Sequence, residues 1–242
     1  MKKMGMRKAG KAASNILVKL RKVIKEGITG LDINAFAEGF IDRYYSGFNL
    51  SSKGYGGFPA SLCVSINEGI IHGIPSQRVI KNGDLVKVDI VVDYKGWFAD
   101  TAATYIVGKI SLAEKKLVLT TRKALYEAIK ASKPGNTTGD LGYIVQNCIE
   151  KEGFSVMKKF CGHGIGREMH TEPAVPNFGK RGEGQILKEG MAIAIEPMSF
   201  MGKSDIEVAA DGWTVKSKDN SMTAHFEHTV LITKNKPLII TD

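Results

Sequence analysis

Ala13, Ile16, Leu17, Leu20 and Ile24 recur at steps of three and four with lysines between them, a spacing that predicts an amphipathic helix at the start of the chain. Gly27 ends it. Asp32 is the expected N-cap of a second helix that gathers Ile33, Phe36, Ala37, Phe40 and Ile41 on one face. Apolar and β-branched runs at 61–66, 85–94 and 98–107 read as strands. Ser111-Leu112-Ala113-Glu114 has the form of a capping box and predicts a helix to about Ser132. Asp140 is expected to begin another, carrying Leu141, Ile144, Val145, Cys148 and Ile149, and strands resume at 191–196, 206–209, 213–217 and 225–233.

Two helices followed by strands thus occur twice, and the pattern has a period. Gly27-x-Thr29-x-x-Asp32-Ile33 matches Gly135-x-Thr137-x-x-Asp140-Leu141 at an offset of 108, and Gly83 through Asp89 matches Gly190 through Glu196 at 107. His72-Gly73-Ile74 echoes His163-Gly164-Ile165, and Asp100-Thr101 loosely echoes Glu227-His228-Thr229. In order, these matches imply two pseudo-equivalent halves within a single domain over 1–242, with acids and histidines converging between them.

Composition is that of an ordinary globular chain: 242 residues, 43% hydrophobic and 24% charged. The net charge of +9 is local, because residues 1–25 hold nine Lys or Arg and no acid, and the remainder balances at 25 of each sign. A basic nucleic-acid-binding face is therefore not indicated. No apolar run reaches the length of a membrane span or a signal-peptide core. The first helix corresponds to the internal helix near 114–130, so the basic segment is expected to be part of the fold. Cys63, Cys148 and Cys161 lack CxxC spacing and suit a reducing cytoplasm without disulfides.

Four acids stand inside apolar strands: Asp89 in Val86-Lys87-Val88-Asp89-Ile90-Val91, Asp100 in Phe98-Ala99-Asp100-Thr101, Glu196 in Ile193-Ala194-Ile195-Glu196, and Glu227 in Phe226-Glu227-His228-Thr229. An unpaired buried carboxylate costs several kcal/mol if it stays ionised. The basic residues cluster in loops and helices, so no matching set of buried cations is expected, and bound divalent metal is the economical partner. His163 and His170 lie in Cys161-Gly162-His163-Gly164-Ile165-Gly166-Arg167-Glu168-Met169-His170, whose glycines let backbone approach a site closely. Four carboxylates and an imidazole suit Mn²⁺, Fe²⁺ or Co²⁺, and a pair of metals sharing carboxylates is a standard device for hydrolysis. His225 stands two residues before Glu227, on the same strand face, where it is expected to lie near the metals and titrate near neutrality.

His72-Gly73-Ile74-Pro75, Val88-Asp89 with Asp100-Thr101, Gly162-His163-Gly164-Ile165-Gly166, Ile195-Glu196-Pro197 and Phe226-Glu227-His228-Thr229 together resemble type I methionine aminopeptidase over essentially the whole chain. The resemblance implies an α+β pita-bread fold, two pseudo-symmetric halves with helices packed on a curved, mainly antiparallel sheet. It implies two divalent ions per chain (Co, Mn or Fe, with Zn also accommodated), Asp89 binding one, His163 and Glu196 the other, and Asp100 and Glu227 bridging. It makes Glu196, His72 and His170 catalytic: an activated hydroxide attacks the first peptide bond, Glu196 shuttles the proton, and the two histidines hold the substrate. Tyr55, Phe58, Cys63 and Trp213 correspond to a methionine pocket. The implied substrates are nascent polypeptides with a small second residue, and the implied setting is a cytoplasmic monomer. A basic first helix adds the ribosome as a partner. His170 and Glu196 are only 26 residues apart, which leaves no room for the helical insertion of the type II form. The family usually has glutamine at the position of His225.

Overall fold

The first half of the chain runs α1 (Lys2–Val23), α2 (Gly30–Tyr44), β1 (Phe48–Leu50), a 3-10 turn (Tyr55–Gly57), β2 (Cys63–Ile66), β3 (Gly69–Ile71), β4 (Leu85–Tyr94) and β5 (Phe98–Ile106). The second runs α3 (Leu112–Ala131), α4 (Thr138–Glu150), β6 (Ser155–Val156), β7 (Gly162–Gly164), β8 (Thr171–Val175), β9 (Ala192–Ile195) and β10 (Met198–Phe200). β11 (Ile206–Val208), β12 (Val215–Ser217), β13 (Thr223–His225), β14 (Glu227–Leu231) and β15 (Leu238–Ile239) complete it. The computed structural model describes residues 2–242.

Nine strands form one antiparallel sheet in the order β1-β4-β5-β14-β9-β7-β8, with β2 also on β4 and β15 on β14. Helices cover one face. Met6, Ala9, Ala13, Ile16 and Leu20 of α1 cluster with Val86, Val88, Ile90 and Val92 of β4, while α3 and α4 close over Ile193, Ile195 and Val230. Full burial of such aliphatic side chains contributes about 1.5–3 kcal/mol each. α1 therefore needs no favourable N-terminal charge, and its first turn has no acid. Because strand side chains alternate, the odd positions of β4, Asp89 among them, are turned to the uncovered face. The basic segment is thus folded structure.

The repeat is visible in backbone geometry. Thr29 and Thr137 each cap a helix through a reciprocal capping box with Asp32 and Asp140. These two acids are third helical residues, so the expectation that they begin their helices is corrected: the threonine hydroxyl three residues earlier accepts the free N–H. Gly27 and Gly135 share a φ of +94°, open to glycine and costly for other residues. Gly27 donates to the Ile80 carbonyl at 2.9 Å and Gly135 to that of Leu187 at 3.0 Å. Gly83 and Gly190 likewise donate to Val107 and Ile232.

The loose echo of Asp100 in Glu227 does not hold in register. Leu85 pairs with Ile106 and Ala192 with Leu231, an alignment that sets Glu227 at the position of Ala102 and not of Asp100. The expected strand over 225–233 is broken at Phe226, where the chain passes from β13, paired with β10, to β14 in the main sheet.

Candidate metal centre and substrate cleft

A two-residue turn at Lys95-Gly96, both at positive φ, joins β4 to β5 and pins their register. Asp100 then pairs with Val91, and Asp89 with Ala102. Glu227 of β14 pairs with Ala102 from the other side. Asp89, Ala102 and Glu227 therefore form a row across three strands, with Asp100 two residues from Ala102 on the same face. A methyl group at the centre of this row leaves the space above it to the carboxylates. Glu196 follows Ile195, which pairs with His228, so it comes alongside Glu227.

His163 reaches the row from β7. Gly162 and Gly164 flank it, and a Cβ on either would meet a carbonyl oxygen, of Ala194 at 2.3 Å or of Glu172 at 2.1 Å. Glycine is required here for close backbone approach. His163 Nε2 lies 3.7 Å from Glu196 Oε1 and 3.8 Å from Asp100 Oδ2. Among the described residues, ligand atoms fall within 4.8 Å of one another in three sets: Asp89, Asp100 and Glu227; His163, Glu196 and Glu227; Asp100, His163 and His170. Glu227 belongs to the first two sets, and Asp100 to the first and third.

The electrostatics call for cations. Burial pushes the Asp89 carboxyl up to about 6, and burial together with neighbouring acids holds Asp100, Glu196 and Glu227 well above the usual carboxylate range. Burial lowers His163 to about 4 and also lowers His72 and His170. Asp100 Oδ1 and Glu227 Oε1 are buried with no hydrogen-bond partner. No Lys or Arg among the described residues makes an ion pair with any of the four acids. Unpaired lone pairs on an oxygen-rich set with one or two imidazoles fit divalent metal.

One part of the charge expectation is corrected. Lys87, on β4 two residues before Asp89, is 1% exposed, so one basic residue is buried in a strand and not in a loop or helix, and burial pushes its amine down to about 7. Its ammonium donates to the Asn67 and Leu85 carbonyls, at 2.8 and 3.2 Å, and leaves the acids without a partner. His225 also departs from expectation. It is 1% exposed and its Nε2 lies 3.9 Å from Glu196 Oε2, so it does sit beside the acids. Burial, however, pushes it down to about 3, which removes the expected titration near neutrality.

Beside the acids opens a cleft of about 300 Å³, lined by Tyr55, Phe58, Cys63, His72, His170 and Trp213 together with Asp89, Asp100, His163, Glu196 and Glu227. Phe58 and Trp213 meet edge to face with centroids 5.2 Å apart, and Cys63 pairs across the strands with Asp89. Tyr55 hydroxyl and His170 Nδ1 are 2.7 Å apart. His72 has a φ of +56°, a strained conformation for a non-glycine residue. It is held because Gly73 packs on the Val64 carbonyl, donating to Ser65 Oγ and accepting from Val64 N–H. The eleven residues read from the sequence as metal ligands, catalytic groups and pocket wall line this one cleft, while His225 lies beside Glu196 but not on the lining. Among the six lining residues not proposed from the sequence are Phe160, edge-on to the His72 ring at 5.6 Å, Ile71 and Met169. Their available signal was adjacency, since Ile71 and Met169 precede His72 and His170 and Phe160 precedes the glycine-flanked His163 segment.

A model of metallopeptidase family M24 matches residues 4–234. The methionine aminopeptidase of Clostridium acetobutylicum is 42% identical over 98% of this chain and 94% of its own length. That of Escherichia coli K12 is 39% identical over 98% and 89%. The crystal structure of the Thermotoga maritima methionine aminopeptidase superposes with a TM-score of 0.97 at 42% identity, covering 100% of this chain and 96% of that one. The fold extends to more distant relatives, among them a Pyrococcus horikoshii prolidase at a TM-score of 0.78, 24% identity and coverage of 100% of this chain and 62% of the prolidase.

Proposed function

The chain belongs to metallopeptidase family M24 and has its pita-bread fold, and from that premise we propose how its cleft works as a methionine aminopeptidase. The enzyme removes the initiator methionine from proteins whose second residue is small. The observation that carries this reading is the convergence of four acids, Asp100 and Glu227 among them buried, and His163 on the wall of an aromatic-lined cleft.

The donor set fits two divalent ions: Asp89 would hold one, His163 and Glu196 the other, and Asp100 and Glu227 would serve both, with Co, Mn and Fe suiting it best and Zn accommodated. Such ions, when bound, polarise the scissile carbonyl and lower the pKa of water toward neutrality. The protein supplies the rest. Glu196 takes a proton from the attacking water and returns it to the leaving amine. His72 and His170, which line the same cleft as the acids, donate hydrogen bonds to the peptide as negative charge develops on its carbonyl oxygen. Tyr55, Phe58, Cys63 and Trp213 enclose the methionine side chain, whose polarizable thioether favours contact with rings and sulfur. The cleft lies at the small end of ligand pockets, which supports selection for a small second residue.

Met-Ala-Ser and Met-Lys-Ser separate the readings: the first is cleaved and the second is not. Equal rates for the two peptides would contradict the proposed selectivity.

The enzyme acts in the cytoplasm as a monomer on nascent N-termini. Its three cysteines are free, and no described helix is long and apolar enough to cross a membrane. Arg7, Lys8, Lys11, Lys19, Arg21, Lys22 and Lys25 are all exposed, on or just beyond α1, which supports docking on ribosomal RNA. Co-sedimentation with ribosomes is expected at low salt and should fall steeply as salt rises; no binding at low salt would remove this partner.

A further inference from the structure

His225 is a buried group that the proposed chemistry leaves unused. It is 1% exposed, and neither ring nitrogen has a hydrogen-bond partner. A buried polar group left unsatisfied is costly, so its retention calls for a partner. Its backbone is fixed. The His225 N–H donates to Thr104 Oγ1 at 3.0 Å, the same hydroxyl donates to the His225 carbonyl at 2.7 Å, and β13 pairs His225 with Met198. The imidazole is therefore aimed by the strand, and what it faces is Glu196. Nε2 lies 3.9 Å from Oε2, while Oε1 of the same carboxylate faces His163 at 3.7 Å.

A metal ligand would be expected among several other donors, as His163 is. His225 belongs to none of the three sets of mutually close ligand atoms among the described residues. Its one acidic neighbour within 4 Å is Glu196. Movement of the carboxylate by about 1 Å would bring Nε2 and Oε2 to hydrogen-bond length.

We propose that His225 is a positioning residue for the metal centre: its Nε2–H donates to Glu196 Oε2 and so presents Oε1 to the ion shared with His163. This inference rests on the metallopeptidase reading of the cleft. Carboxylates that ligate metal are commonly oriented by such an outer hydrogen bond, and its loss typically costs 10–100-fold in affinity.

The test compares the full-length parent, His225→Gln and His225→Leu, each stripped by chelation. Mn²⁺ binding is measured by calorimetry, and thermal unfolding is followed without metal. Leucine fills the space without a donor, whereas the glutamine amide can reach the same carboxylate. The expected result is a 10–100-fold loss of Mn²⁺ affinity in His225→Leu, near-parental affinity in His225→Gln, and a metal-free melting temperature for His225→Leu at or above the parent's. Parental affinity in His225→Leu would overturn the proposal. So would an equal loss in both variants, or a metal-free His225→Leu that melts well below the parent, which would make the residue a packing element. If the parent itself took up no Mn²⁺, the metallopeptidase reading would fail first and this inference with it.

Discussion

The two halves of the molecule share a frame and differ in what they hang on it. Each carries, after its first helix, a positive-φ glycine, a threonine cap with its aspartate, and a second glycine that starts an antiparallel strand pair. On the first pair stand two aspartates, Asp89 and Asp100. On the second stand two glutamates, Glu196 and Glu227, and the register sets Glu227 where the first half has Ala102. The longer glutamates reach from β14 and the end of β9 toward the short aspartates, with Ala102 left small between Asp89 and Glu227. The lesson is that the repeat builds the frame, and departures from the repeat build the chemistry. Substitutions on the frame should therefore act alike in both halves, and substitutions at the departures should not.

The largest expected effect is at Glu227, the acid common to both of its ligand sets. Glu227→Ala should lower turnover to about a thousandth of the parent or less, a loss of roughly 4 kcal/mol in transition-state stabilisation, and bound metal should fall as well. Full metal content at the parental rate would break the assignment. His72 comes next because it lines the same cleft as the acids without being in any ligand set. His72→Ala should keep metal content near that of the parent while kcat drops about 100-fold; loss of metal in step with activity would give His72 a different role.

A third effect concerns the chelated protein. The four acids hold their protons more tightly folded than unfolded, so their contribution to stability falls as pH rises from about 4, the unfolded range, through 6 and above. Metal displaces those protons. The gap between loaded and metal-free melting temperatures should widen from pH 5 to pH 7.5, and a constant gap would show that the acids are not the metal's partners. The smallest effect is on the frame. Thr29→Ala and Thr137→Ala should each cost about 1 kcal/mol in stability, and values differing several-fold would show that the halves are not equivalent at their caps.

Much of this was legible in the residues. Apolar strands that contain isolated acids signal a buried polar cluster from sequence alone, and the Gly-x-Thr-x-x-Asp repeat signals the two halves. What was not legible depends on distant geometry. The direction of the Lys87 ammonium is set by the Asn67 carbonyl across the neighbouring turn, so its failure to pair with Asp89 could not be read from adjacency. His225 was expected to titrate because strand alternation gives a face but not a burial depth, and burial governs its protonation. Asp32 and Asp140 are good cap residues by type, yet the threonines three positions earlier supply the hydroxyls that the helix ends use. Phe160 reaches the cleft through the path of the loop before β7, which no periodicity encodes.

The central claim is that the four acids and His163 bind divalent metal and with it cleave an N-terminal methionine. Hydrolysis of Met-Ala-Ser, followed on chelated protein before and after single additions of Co²⁺, Mn²⁺ or Fe²⁺, tests it most directly. Chelated protein should be inert, and its activity should return with divalent ion and saturate at no more than two ions per chain. Undiminished hydrolysis after chelation, or no recovery with any of the three ions, would contradict it.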